Sequence, residues 1–230
     1  MHYFLDSAFD PNTGILHEEE SRHAIKSLRL SVGDEILIGD GKGKRYTTAI
    51  KVIGKKELIV DLLSAENFEI PLPKLTIAIA PTKNPSRFEW FLEKATELGV
   101  YQIIPIETKR TERSRYKHDR AERIIHAATK QSMRAFTPVL ELLTPISKVL
   151  KMEHSLKLIA HCDENTKRIE LSDFSRKNSS NDILILIGPE GDFTPEEIDK
   201  SKEKGFQPVI LGRNRLRTET AGVFAAAAFF

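Results

Sequence analysis

Apolar positions fall into two regimes along the chain. From about residue 33 to about residue 63 they form short runs broken by turn residues, and from residue 75 onward longer apolar runs alternate with helical spacing. In the first regime, GDEILIGDGKGKRYTTAIKVIGKKELIVDLL predicts three short strands. DGKG (Asp40–Gly43) and GKKE (Gly54–Glu57) are the hairpin connections between them. Just before these strands, SRHAIKSLRL sets Arg22, Lys26 and Arg29 at helical spacing on one face, flanked by Ile25 and Leu28. In the second regime LTIAIA, VYQIIPIE, KLIAHC, DILILIG and PVILG predict buried strands. The intervening stretches predict helices. One opens at Ser86 with Glu89 as a capping box, repeats Phe88, Phe91, Leu92, Ala95 and Leu98 on one face, and stops at Gly99. Another starts at Asp119 with Glu122 and turns Ile124, Ile125 and Ala128 inward. A third is capped by Thr194, with Pro195 in its first position and Glu197 closing the box, and a fourth begins near Thr218. Such alternation implies an α/β architecture with a mostly parallel sheet covered on both faces. Pro71 and Pro73 in ENFEIPLPK break helix and favour extended chain, which predicts a boundary between a β-rich domain at 1–70 and an α/β domain at 74–230.

Composition narrows the class. With 40% hydrophobic and 30% charged residues the 230-residue chain is ordinary for a soluble protein. It has no apolar run of about eighteen residues, so no membrane partner is expected. The start, MHYFLDSAFD, lacks the basic and apolar regions of a secretion signal. The single Cys162 excludes an internal disulfide framework and fits a reducing compartment, so a cytoplasmic location is expected, with Cys162 itself buried in or near a strand. Histidines and Cys162 show no metal-ligand spacing. The net charge of +2 hides a basic stretch between Lys109 and Arg134, where nine Lys and Arg face Glu112, Asp119 and Glu122. It reads either as a nucleic-acid backbone contact or as a solvated helix face.

The chemistry gathers at three strand ends: IAHC, IGPEG and ILGRNRLRTETAG. In open α/β sheets ligands sit beyond the carboxyl ends of strands, and Gly188, Gly191 and Gly212 would let backbone approach one closely. No phosphate-loop or dinucleotide fingerprint is present, and Glu190 sets a negative charge where a phosphate would lie. A neutral or cationic ligand held by backbone groups is expected, and S-adenosylmethionine is compatible.

IGPEGDFTPEEI and LGRNRLRTETA, together with EKATELGVYQIIPI and KQSMR, resemble the ribosomal RNA small-subunit methyltransferase E family. These are uridine-N3 methyltransferases of the SPOUT superfamily. The likeness covers nearly the whole chain, HAIKSLRLSVGDEI included. It implies a PUA-like β-barrel followed by a SPOUT-type trefoil-knotted α/β domain, a homodimer, S-adenosylmethionine as methyl donor and small-subunit (16S) ribosomal RNA as substrate. Another RNA such as transfer RNA, or a non-catalytic RNA-binding or assembly role, are the alternatives. The resemblance places the donor against Ala160 and His161, then Ile187, Gly188, Pro189, Glu190 and Gly191. Leu211 and Gly212 follow, and then Leu216, Arg217, Thr218, Glu219, Thr220 and Ala221. Two positions depart from the family: Asp192 and Met133 stand where glycine is common.

Uridine N3 carries a proton between two carbonyls, so a cation near O2 or O4 would favour the deprotonated base. Arg217 is the candidate, unless it is an ion pair with Glu190 or Glu219. Glu219 is a candidate proton acceptor, or else a cap or ligand-orienting group. His161 is expected to make one strand-end hydrogen bond rather than act as a base. Trp90 is expected in the core of its helix or at an interface. Arg22, Lys26, Arg29, Lys42, Lys44 and Arg45 in the first domain, and Arg110, Arg113, Arg115 and Arg134 in the second, are expected to track RNA phosphates.

Overall fold

The computed structural model describes residues 1–112, 116–163, 166–177 and 180–230. Arg113 and Arg115 lie outside the described residues. The chain forms two compact units, one of residues 1–70 and 126–137 and the other of residues 71–125 and 138–230.

In the first unit, β1 (His2–Leu5) pairs in parallel with β3 (Glu35–Gly39). β3 pairs antiparallel with β4 (Lys44–Ile53), β4 with β5 (Leu58–Asn67), and β5 with β2 (Ile15–Leu16). Both predicted hairpins form. Asp40 accepts the N–H groups of Lys42 at 2.7 Å and Lys44 at 2.9 Å, and Gly54 N–H donates to Glu57 O at 2.9 Å. Phe4, Leu16, Ile36, Ile38, Ile50 and Leu58 fill the core. The predicted helix is short. α1 (Glu18–Arg22) passes into a wider π-type turn over His23–Ser27, and Arg29 follows it in the left-handed region with φ 54°. Arg29 is therefore not on the helical face assigned to it. Segment 126–137, which the sequence places with the second domain, is held in this unit. Tyr3 Oη donates to Arg134 O at 2.8 Å, Gly43 N–H to Ala135 O at 3.0 Å, and Thr137 N–H to Gly41 O at 2.9 Å.

The second unit is a parallel sheet. Its strands are β6 (Lys74–Ile79), β7 (Gln102–Glu107), β8 (Val139–Leu140), β9 (Thr144–Pro145), β10 (Leu156–Ala160), β11 (Ile169–Glu170), β12 (Asp182–Ile187) and β13 (Gln207–Ile210). The order is β11-β13-β10-β12-β6-β7-β8, with β9 also on β7. Alternate side chains serve two cores, which explains the unbroken apolar runs. Leu75, Ile77, Ile183, Ile185 and Leu158 face one core, with α2 (Pro85–Leu98) and α7 (Thr218–Ala227) packed on it. Ala78, Ile104, Leu184, Leu186 and Ile159 face the other, covered by α4 (Ile146–Val149) and α6 (Pro195–Glu203). α3 (His118–Gln131) adds Ala121 and Ile125 to the first core. α5 (Leu171–Lys177) follows β11 directly.

The cap of α2 differs from expectation. Asn84 is the N-cap and accepts the Ser86 N–H at 3.1 Å, because Pro85 occupies the first helical position that its fixed φ suits. Glu89 then falls outside the box, and Arg120 Nη2 donates to its Oε2 at 2.8 Å. The predicted box at α6 is present, and Gly99 ends α2 at φ 93°. Trp90 is 43% exposed, so it is not in the core. Among the described residues no helix is long and apolar enough to cross a membrane.

Candidate functional site

The register of three strands builds the site. β10 lies between β12 and β13, with Ala160 opposite Ile187 on one side and Val209 on the other. Three carboxyl ends therefore stop at one level, and the loops leaving them surround a cavity of about 700 Å³. Every predicted donor-contacting residue lines it except Gly191, Glu219 and Thr220.

The turn after β12 is held from several sides. Asp192 adopts φ 63°, a conformation glycine takes freely and aspartate better than most. Its Oδ1 accepts the Phe193 N–H and its Oδ2 the Cys162 N–H, each at 2.8 Å. Glu190 Oε1 accepts the Lys83 N–H at 2.9 Å, and Glu190 O accepts from Arg215 Nη2 at 3.1 Å. Thr218 Oγ1 donates to Gly188 O at 3.0 Å. Arg110 Nη1 donates to Gly191 O at 2.8 Å, and Lys109 N–H to Glu197 Oε1 at 2.8 Å. A Cβ at Gly188 would stand 3.1 Å from the Phe193 ring, a tight contact that favours glycine.

His161 is 5% exposed. Its Nδ1 accepts the Asp163 N–H at 3.2 Å, which leaves the ring proton on Nε2. Burial holds its pKa below the usual range, so the ring is neutral. Among the described residues Nε2 is buried without a hydrogen-bond partner, an orphan that a ligand in the cavity would satisfy. Arg168 Nη1 donates to His161 O at 2.6 Å.

Arg217 lines the cavity as the N-cap of α7, exposed, in extended backbone, with no side-chain capping bond. Neither expected ion-pair partner holds it. Glu219 is instead 3.7 Å from Arg87 Nε, and the Glu190 carboxylate is bound to Lys83 N–H. Glu219 is buried in the first turn of α7, outside the cavity lining, where the helix dipole suits a carboxylate.

Cys162 is exposed and lines the cavity, contrary to expectation, because β10 ends two residues before it. Arg168, Asp192, Arg213, Asn214 and Arg215 also line it and were missed. Position within GPEGDF and LGRNRLR could have found all but Arg168, for which the sequence carries no signal. Cations outnumber acids in the lining: Arg168, Arg213, Arg215 and Arg217 face Glu190 and Asp192.

The residues expected on RNA divide. Lys26, Arg29, Lys42 and Lys44 are exposed. Arg22 is tied to Glu18, and Arg45 Nη2 donates to Glu66 Oε2 at 2.7 Å with its guanidinium 4.5 Å from the Phe68 ring centre. Arg110 is spent on the β12 turn, and Arg134 is half-buried, which lowers its pKa.

Comparison with known proteins gives the family. Residues 69–230 match the RNA methyltransferase domain family and residues 16–63 the RNA methyltransferase PUA domain. The chain is 32% identical over 229 residues to ribosomal RNA small subunit methyltransferase E of Rickettsia conorii, covering 97% of this chain and 92% of that one. The Bacillus subtilis protein of the same name is 30% identical over 223 residues, covering 91% and 86%. A crystal structure of a probable rRNA-methyltransferase from Porphyromonas gingivalis is 39% identical with a TM-score of 0.91, covering 99% of this chain and 96% of that one. Ribosomal RNA small subunit methyltransferase E from Neisseria gonorrhoeae, solved bound to S-adenosyl methionine, is 29% identical with a TM-score of 0.84 over 99% and 96%. Family model, relatives and cavity converge: this chain belongs to the ribosomal RNA small subunit methyltransferase E family of RNA methyltransferases.

Proposed function

We propose that this protein transfers the methyl group of S-adenosylmethionine to N3 of a uridine in small-subunit ribosomal RNA. The observation that carries the reading is the cavity at the ends of β10, β12 and β13, walled by backbone and by the unpartnered His161 Nε2–H. Its volume of about 700 Å³ is that of a small-molecule site. Its glycine turn contains an acid and no phosphate-loop lysine, which suits a phosphate-free cation.

Ala160, His161, Ile187 to Glu190, Leu211, Gly212, Leu216, Thr218 and Ala221 would hold the donor. When bound, S-adenosylmethionine supplies a methyl carbon on a sulfonium whose sulfur leaves neutral. The residues of the chain do the rest. His161 Nε2–H is a neutral donor for a polar ligand atom. Arg217 sets a cation at the cavity wall, where it stabilises the charge on O2 or O4 as uridine N3 releases its proton to water. The turn of Asp192, Glu190 and Arg110 fixes the wall so that N3 and the methyl carbon meet in line. Glu219, held near Arg87, orients α7 and the loop before it.

Residues 1–70 serve as a PUA-like RNA grip and residues 74–230 as the catalytic domain in this reading. Lys26, Arg29, Lys42 and Lys44 are the free cations of that grip. A trefoil knot is part of it too; Thr218 and Arg215 hold the segment after β13 across the turn that follows β12, which supports it. A homodimer is supported by Trp90 and Phe224, each 43% exposed, on the helices α2 and α7 that pack together.

The test supplies methyl-labelled donor with small-subunit particles, small-subunit RNA and transfer RNA. Label in a small-subunit substrate is expected. Label confined to transfer RNA would overturn the substrate, and label in none would overturn the activity.

A further inference from the structure

A second cavity, of about 390 Å³, opens in the same unit between the start of α2 and the start of α3. Tyr116 and Phe88 line it, their ring centres 5.7 Å apart edge to face, with Phe88 buried beneath at 4% exposure. The Tyr116 hydroxyl donates to Glu141 O at 2.8 Å, which fixes the ring, and burial raises its pKa so that it stays neutral. Lys117 and Arg120 stand at the edge, Arg120 paired with Glu89. The start of α2 offers a ligand little, since Ser86 N–H is taken by Asn84 Oδ1 and Arg87 N–H by Asn84 O. What the cavity presents is the Tyr116 ring and a rim on which Lys117 and Arg120 outnumber Glu89.

One residue separates this cavity from the first. Lys83 N–H donates to Glu190 Oε1, Glu190 lines the first cavity, and the neighbours of Lys83, Thr82 and Asn84, line the second. A strand that turns its target base out into the first cavity must leave an adjacent nucleotide unstacked beside it.

We propose that the second cavity receives this adjacent unpaired nucleotide of the RNA. Its base lies against the Tyr116 ring and its phosphate points to Lys117. This rests on the methyltransferase reading above. An aromatic platform bordered by cations is the combination that holds single-stranded nucleic acid. The volume admits one nucleoside and excludes a duplex.

The test compares the wild type with Ser86→Trp, which fills the cavity from its exposed rim, and with Lys117→Ala. Methyl transfer to small-subunit RNA and calorimetric binding of S-adenosylmethionine are measured for each. Loss of one stacked base predicts a KM for RNA raised about tenfold in Ser86→Trp, equivalent to about 1.4 kcal/mol. A smaller rise is expected in Lys117→Ala, with donor affinity unchanged in both. A wild type that methylates RNA while Ser86→Trp keeps its KM would overturn the nucleotide site and leave the activity standing. So would a rise in Lys117→Ala alone, which marks a surface phosphate contact. A change from dimer to monomer in Ser86→Trp without a change in KM would give the cavity to a second copy of the chain. A wild type inactive on every RNA would remove the underlying reading and the nucleotide site with it.

Discussion

Asp192 Oδ2 accepts the backbone N–H of Cys162 at 2.8 Å, and so locks the turn after β12 to the end of β10. The residue does this from φ 63°, a conformation that glycine takes freely. Asp192→Gly keeps the backbone and loses the lock; Asp192→Ala loses both. We expect donor affinity to fall about tenfold in each, the loss of roughly one charged hydrogen bond. Asp192→Ala should in addition lose about 1–2 kcal/mol of stability to left-handed strain. Calorimetry and urea denaturation separate the two effects.

His161 gives a pH signature. Burial depresses its folded pKa, so as pH falls through about 6.5 the unfolded chain takes up a proton while the folded chain does not. Its contribution is therefore full above about pH 6.5 and is lost as pH drops toward the folded value. His161→Gln should show a flatter stability profile than the wild type between about pH 7.5 and about pH 5.5 in denaturant titrations.

Gly222 sets the seat of α7. A Cβ there would stand 2.6 Å from the buried Phe91 ring and 2.9 Å from Ile79 Cδ1. Gly222→Ala should cost about 1–3 kcal/mol by overpacking. It should also weaken donor binding, because the first turn of α7 lines the cavity. Thermal melting with and without donor reports both losses.

Arg217 separates binding from chemistry. Removing a group that stabilises developing negative charge typically costs about 100-fold or more in turnover. Arg217→Ala should show that loss with donor affinity changed by less than about threefold. Equal losses in calorimetry and turnover would make Arg217 a donor ligand instead.

Strands β6, β7 and β12 were legible because each is buried on both faces, so Leu75 to Ala80 or Ile183 to Ile187 reads as an unbroken apolar run. The strand ends were legible because glycines and a capping box mark them. What escaped depends on partners distant in sequence. Asn84 and Ser86 are equally good caps on paper, and Pro85 decides between them. Arg110 looks like any basic residue until β7 and the β12 turn are adjacent, 81 positions away. Residues 126–131 complete α3, yet the segment just after it, Arg134, Ala135 and Thr137, hydrogen-bonds with Tyr3, Gly43 and Gly41. Met133, like Asp192, adopts a positive φ, 51° after the end of α3, where glycine would be unstrained, and nothing in the residue type itself announces that.

The central claim is that the strand-end cavity directs a methyl group to uridine N3 in small-subunit RNA. Nucleoside analysis of small-subunit RNA after reaction with S-adenosylmethionine tests it most directly. The account predicts N3-methyluridine with the wild type and about 100-fold less with Arg217→Ala. A different methylated nucleoside, or none, would contradict it.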